Sequence, residues 1–544
     1  MTLFSRLFGK MMKLPQAETH KIVVKRDLKV PMPDGVELLA EHYYPYGDNK
    51  PPTVLVRSPY GRRIIFGLLY GRLLAERGFQ VLIQSCRGTF GSGGQFIPFF
   101  NEHDDGIATI EWIKKQDWFS GELVTMGGSY LGYVQWTVAH EAGSILKAMA
   151  TQVCNSDFGY MHYPGGSFSL HGGLSWTTMV ATQESSSLLR TMLFNSEKKL
   201  IPALNHLPLQ DAVELAIGKS VPHWQDWLEH NNPEDDYWKQ TDFRKTLTEL
   251  SVPVNMVGGW YDIFLPWQLR DYAALRGAGR QPFLTIGPWV HNDMGMMGIG
   301  VREGIVWFHA HLTGDRSELR EEPVRLFIMG VNEWRNFSDW PPSGSLLQRW
   351  HLQPNKGLSP ETSTESMPDH YRYDPSDPTP TVGGTLLSPN SGPKKNNDLE
   401  SRSDVLVYTS AKLKQDLEVI GPVQAELYVR SSLEYTDFFA RLCDVNSSGK
   451  SINICDGILR LIPGKLKRES DGSIKVVIDL WPTAYCFLRK HHIRLQVSSG
   501  AHPRFVRNLG TEEPLATATK LIIAKQTIYH SPTHPSAIIL PVMN

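Results

Sequence analysis

Residues 123–136 read LVTMGGSYLGYVQW. An apolar run from Leu123 ends in Gly127 and Gly128, presents one hydroxyl at Ser129, and continues in residues that suit a helix. That order predicts a buried strand, a turn too tight for bulky neighbours, and a helix whose first N–H groups face whatever Ser129 touches. A nucleophilic serine needs such a turn, because it holds the hydroxyl clear of the backbone. The common pattern is G-x-S-x-G, whereas here the second glycine arrives one place late, at Gly132. A serine that only caps a helix fits the same letters, so the stretch by itself leaves both readings open.

A serine hydroxyl attacks only when a base takes its proton and a carboxylate orients that base. Where the serine sits on a strand-to-helix turn, the partners follow in the order acid, then histidine. Asp262 ends the apolar run VPVNMVGGWY and His291 ends PFLTIGPWV, so both are expected at the same sheet edge as Ser129. Each also has a plain alternative: Asp262 as the cap of a helix beginning near Pro266, His291 as a hydrogen-bonded loop residue. His103 precedes the serine, His140 and His230 fall in helical windows, and His491 and His492 lie in a late β-rich region. For the oxyanion, the backbone N–H of Tyr130 is one donor by position, and the phenol of Tyr60 in VRSPYGRR, just past an earlier strand, is a candidate second.

Outward from these residues, PTVLVRSPY, FQVLIQSCRG and ELVTMGGS read as buried strands. Between the last two, Ile107, Ile110, Trp112 and Ile113 space out as one helix face. Alternation of this kind predicts an α/β fold with a mostly parallel sheet covered on both faces, carrying function at its strand ends. Residues 152–242 break the pattern with Ser, His, aromatics and helical windows such as LQDAVELAIG and WQDWLEH, and read as a helical cap over the sheet. The core therefore comes in two parts, 20–151 and 243–345, around that insertion. From about residue 346 come Pro/Ser/Gly/Thr-rich stretches of linker and loop composition, PNKGLSPETSTESMPD and DPSDPTPTVGGTLLSPNSGP, and beyond them short alternating segments (VQAELYVRSS, TDFFARLCDV, IKVVIDLW, HIRLQVSS), so that 346–544 predict an all-β sandwich or jelly roll.

The 544-residue chain carries 55 Lys and Arg against 56 Asp and Glu, so no net field draws it to nucleic acid. Its five cysteines are odd in number, widely spaced and without C-x-x-C, which indicates neither a disulfide framework nor a zinc site. Reduced thiols fit a cytoplasmic protein. The basic start MTLFSRLFGKMMKL is interrupted by Arg6 and Lys10, which argues against a signal peptide, and no window has the length and apolarity to span a membrane. The glycines of GTFGSGGQF lack the Lys-Ser/Thr of a phosphate loop and read as a turn beneath the site, while NEHDD reads as charge at a helix start. Edge strands in the C-terminal region are free to pair between subunits, so a homo-oligomer is compatible with the sequence.

Taken together, the chain resembles the bacterial cocaine-esterase-like (CocE/NonD) hydrolases, relatives of the X-Pro dipeptidyl-peptidases and α-amino-acid ester hydrolases. The resemblance rests on MPDGVELLAEHYYP, RSPYGRR, QSCRGTFGSGGQF, GGSYLGYVQW, DWLEHNNPEDDYW, GGWYDIF, GPWVH and GPVQAELYVRSSLEYTDFFARLCDV. It implies an α/β-hydrolase core with an inserted helical cap and a C-terminal jelly roll. It also implies a Ser129, Asp262, His291 triad with Tyr60 and Tyr130 at the oxyanion hole, and an elbow written G-x-S-Y-x-G. Relatives that act on amino-acid esters carry acidic residues just after the triad aspartate. Here that loop reads DIFLPW, which offers no charge to a free amine, although the cap could supply one at Asp157.

The expected function is hydrolysis of an ester or amide of a bulky, uncharged acyl group through an acyl-enzyme, with no cofactor and no metal required. Phe264, Trp176 and Trp267 are the expected pocket wall. Two alternatives stay open: an X-Pro dipeptidyl-peptidase, which needs an anionic anchor for the substrate's N-terminus, and a non-catalytic binding protein that keeps the hydrolase scaffold.

Overall fold

The computed structural model describes residues 2–184 and 197–543. Ten strands form the first sheet: β1 (Ile22–Pro31), β2 (Glu37–Pro45), β3 (Thr53–Ser58), β4 (Gln80–Ser85), β5 (Leu123–Gly128), β6 (Leu146–Gln152), β7 (Val254–Tyr261), β8 (Phe283–Val290), β9 (Val324–Ile328) and β10 (Glu333–Phe337). Their spatial order is β1-β2-β4-β3-β5-β6-β7-β8-β9-β10. From β4 to β9 every neighbouring pair is parallel, and antiparallel strands close both edges. All residues of β3, β4 and β7 are buried, as expected for strands covered on both faces.

The helix Glu102–Lys114 buries Ile110 and Ile113, with Ile107 and Trp112 half-buried beside them. Its first turn is acidic, as the sequence predicts, but Glu102 does more than complement the helix dipole. It is buried 2.7 Å from the Arg57 guanidinium and accepts the Tyr130 hydroxyl at 2.8 Å. This buried pair ties the turn after β5 to β3.

Between β6 and β7 lie the helices Gly159–His162, Leu170–Thr182, Glu197–Leu204, Ala212–Ile217 and Pro222–Glu229. The expected helical insertion over residues 152–242 also includes 185–196, which lie outside the described residues. Trp224, Trp227 and Trp238 are buried there and join the same apolar core as β3 and β5.

From Ser345 onward the described chain is mainly β, with one short helix at Asn397–Glu400, eleven strands in a second sheet and a core of its own. Leu417–Ser431 pairs with Ile474–Phe487 over most of its length, and Thr436–Val445 lies between Ser451–Leu461 and His492–Ser498. The expected fold class, an α/β-hydrolase core with a C-terminal all-β domain, is the one observed. No helix among the described residues is long and apolar enough to cross a membrane. The five cysteines are buried and form no disulfide.

Candidate active site

The turn after β5 is built by close approach. Gly127 has φ 157°, and a Cβ there would stand 2.5 Å from that of Leu131. Ser129 itself is held at φ 56°, ψ −127°, a conformation that a non-glycine residue adopts only under constraint. The late glycine has a local cause: a Cβ on Gly132 would come within 2.4 Å of the Cys154 sulfur just past β6. The first turn of the helix Tyr130–Ala139 therefore packs flush against the neighbouring chain, and only glycine fits where it touches.

Ser129 is half-buried, so its hydroxyl is reachable. His291, at the end of β8, places Nε2 3.1 Å from Ser129 Oγ and Nδ1 2.6 Å from Asp262 Oδ2. Asp262 is fully buried, and its other oxygen accepts the Phe264 backbone N–H at 2.8 Å. The two readings of Asp262 thus coexist, since one oxygen caps the entry to the helix Leu265–Gly277 while the other holds the imidazole. Three strand ends separated by up to 162 residues bring these groups into one hydrogen-bonded line.

Tyr60 follows β3, and its phenol oxygen accepts the Trp176 indole N–H at 2.9 Å. Because that lone pair is taken by a donor, the phenol's own proton turns elsewhere, and Tyr60 lines the same cavity as Ser129. Burial raises the phenol's pKa, so it stays a donor. The backbone N–H of Tyr130 opens its helix and has no intrahelical acceptor. Its side chain does a different job, donating to Glu102 and accepting the Phe99 N–H at 2.9 Å.

Replacing Tyr60 with phenylalanine is expected to lower kcat by about 10²–10³, typical of removing one oxyanion donor, with KM little changed. Steady-state kinetics on an activated ester would measure it. A loss below about threefold would remove Tyr60 from the oxyanion site.

Ser129 and His291 open on a cavity of about 860 Å³. Phe264, Trp176 and Trp267, the three residues expected in its wall, all line it. Phe264 packs 5.4 Å from the His291 ring, and Trp267 meets Trp481 of the β domain edge-on at 5.5 Å. Sequence reasoning missed Phe99, Phe158, His162 and Trp227, which extend the aromatic lining into the cap. Burial pushes His162 down to about 4, so its imidazole is neutral. It also treated 385–389 as linker, whereas Thr385 to Pro389 form part of the wall together with Trp481 and Phe505. Phe90, in the glycine-rich turn, borders the same space.

The suggestion that Asp157 could hold a substrate amine is corrected. Its side chain is buried, 2% exposed, ion-paired with Arg270, and not among the lining residues. Among the described residues the lining holds one carboxylate, Glu184, which is exposed and accepts the Phe90 N–H at 2.8 Å.

Comparison with known proteins covers nearly the whole chain. The family model described as X-Pro dipeptidyl-peptidase (S15 family) matches residues 34–293, and that of the X-Pro dipeptidyl-peptidase C-terminal non-catalytic domain matches 318–539. The cocaine esterase of Rhodococcus sp. (strain MB1 Bresler) is 32% identical, with 96% of this chain and 98% of that protein covered. Two solved structures share the fold. An aminopeptidase from a marine sediment Thaumarchaeota archaeon superposes with TM-score 0.82 at 22% identity, covering 97% of this chain and 98% of that one. An α-amino acid ester hydrolase gives TM-score 0.80 at 20% identity, again over 97% and 98%. A hydrolase-type elbow, the S15 core and C-terminal models in sequence, and an esterase relative covered almost end to end converge: this chain belongs to the family of serine hydrolases represented by cocaine esterase.

Proposed function

We propose that the protein is a carboxylic ester hydrolase that works through an acyl-enzyme on Ser129. One observation carries the reading: the hydrogen-bonded line from Asp262 through His291 to Ser129 ends at an aromatic-lined cavity. His291 Nε2 takes the Ser129 proton as Oγ attacks the carbonyl carbon. The oxygen of the tetrahedral intermediate, now negative, is met by the Tyr60 hydroxyl and the Tyr130 N–H. The imidazolium, held by buried Asp262, returns the proton to the departing alkoxide. A water then loses a proton to the same nitrogen and attacks the acyl carbon, which frees the acid and restores Ser129.

The cavity wall favours a bulky, uncharged acyl group. Beside His291 stand Ile263, Phe264 and Trp267, with no charge to receive an ammonium group. For a dipeptidyl-peptidase the available anchor would be Glu184, which already carries a backbone hydrogen bond. The protein should therefore hydrolyse p-nitrophenyl esters of aromatic and branched acids and leave Gly-Pro-p-nitroanilide intact. Release of p-nitroaniline at a rate comparable to the best ester would replace the esterase reading with the peptidase one.

A further inference from the structure

The helix Thr2–Met11 supplies no residue to the cavity wall, yet one of its faces is firmly held. Ser5 is 1% exposed and donates to Glu76 Oε1 at 2.8 Å, and a Cβ on Gly9 would stand 2.9 Å from Arg77 Nη2. Met12, one residue past the helix, is buried against Gly298, where a Cβ would lie 3.3 Å from the Met12 Cγ. Phe8 and Leu14 pack on the same core, and Arg77 donates to the Pro15 carbonyl at 2.8 Å. The helix is therefore formed and docked on the hydrolase core.

Its opposite face is apolar and open. Leu3 is 80% exposed, Phe4 62%, Leu7 62% and Met11 57%. At about 100° per residue these four fall within roughly 100° of the helix circumference, while Ser5, Phe8, Gly9 and Met12 share the side turned to the core. Large apolar side chains gathered on one exposed face mark a contact surface. Arg6 and Lys10 occupy the next sector of the helix and Lys13 follows it. All three are exposed, and none forms an ion pair among the described residues. Residues 1–17 contain no Asp or Glu.

Unpaired cations bordering an apolar stripe match a surface that is anionic at its edge and apolar beneath. A second copy of this chain matches poorly, because a two-fold contact would set the cations against their own counterparts. No helix among the described residues is long and apolar enough to cross a membrane, so the contact is one of lying on its surface. Because the core already holds the helix, docking carries no cost of forming it.

We infer that the helix Thr2–Met11 docks the protein on an anionic lipid surface, with Leu3, Phe4, Leu7 and Met11 entering the apolar layer and Arg6, Lys10 and Lys13 at the headgroups. The inference goes beyond the esterase reading and does not depend on it.

The test sediments the full chain with vesicles of phosphatidylcholine alone and with vesicles that also contain about 30% phosphatidylglycerol. A basic residue near an anionic surface contributes roughly fivefold in affinity, so the anionic vesicles should bind about a hundredfold tighter than the neutral ones. Arg6→Gln/Lys10→Gln/Lys13→Gln should remove that preference, and about 1 M salt should do the same for the wild type. Leu3→Ser/Phe4→Ser/Leu7→Ser should weaken binding to the anionic vesicles by about tenfold or more. All the substituted side chains are exposed, so both variants should melt within a few degrees of the wild type. A wild-type preference below about threefold would overturn the proposal, and no folding defect of a variant bears on that result. Binding that survives in both variants would also overturn it, by placing the lipid contact elsewhere on the molecule. So would a wild-type dimer that binds no vesicle and that the serine variant disperses, since the face would then belong to a second copy.

Discussion

Ser129→Ala is expected to lower kcat/KM on an activated aromatic ester by about 10⁴–10⁶, down to what the oxyanion donors and binding alone supply. The substitution removes a single oxygen. It leaves the backbone strain unchanged, because alanine meets the same penalty as serine at φ 56°. The flush contacts of Gly127 and Gly132 are untouched, so the melting temperature should stay within a few degrees of the wild type. The split between activity and stability is the informative part. A serine that only capped the helix would show the opposite pattern, with a loss of about 1 kcal/mol of stability and little effect on turnover.

Asp262→Asn is expected to cost about 10⁴ in kcat, and the cause lies in the tautomer. In the wild type one carboxylate oxygen accepts the Phe264 N–H at 2.8 Å and the other accepts from His291 Nδ1 at 2.6 Å. An asparagine that kept its oxygen on the Phe264 N–H would turn its amide NH₂ toward Nδ1. The imidazole would then offer a lone pair there and carry its proton on Nε2, aimed at Ser129, where a base is needed. The side chain is fully buried, so it cannot swing away to escape the mismatch. Kinetics on the asparagine variant would show the loss with fold and KM preserved. Activity within about tenfold of the wild type would mean that Asp262 only caps its helix.

How much of this was legible beforehand divides along physical lines. Strand ends could be read because an apolar run that stops at glycines and a polar residue is a local signal, and Ser129, Asp262 and His291 each terminate one. Phe264 and Trp267 were legible by adjacency, since they follow Asp262 within five residues of chain. Trp176 was placed in the wall, but its hydrogen bond to Tyr60, which directs the phenol's proton, carries no sequence signal because 116 residues separate the two.

Phe99, Phe158 and His162 were missed for the same reason. Their neighbours are rings contributed by the helical insertion and by loops, and nothing in residues 158–162 distinguishes a cavity wall from an ordinary core. Thr385 to Pro389 misled in the other direction, since Pro, Ser and Gly compose both inert linkers and loops pinned against a site. The reading of Asp157 failed because burial against Arg270, a residue 113 positions later, is a tertiary fact.

The link most in need of direct proof is the covalent one, and intact-protein mass after exposure to a fluorophosphonate that mimics the tetrahedral intermediate tests it. The wild type should gain one adduct per chain, mapped by peptide fragmentation to Ser129, with activity lost in proportion to labelling. Ser129→Ala should gain none. An adduct on another residue, or full labelling of the alanine variant, would contradict the assignment of Ser129 as nucleophile, and with it the line of groups from Asp262 to the cavity.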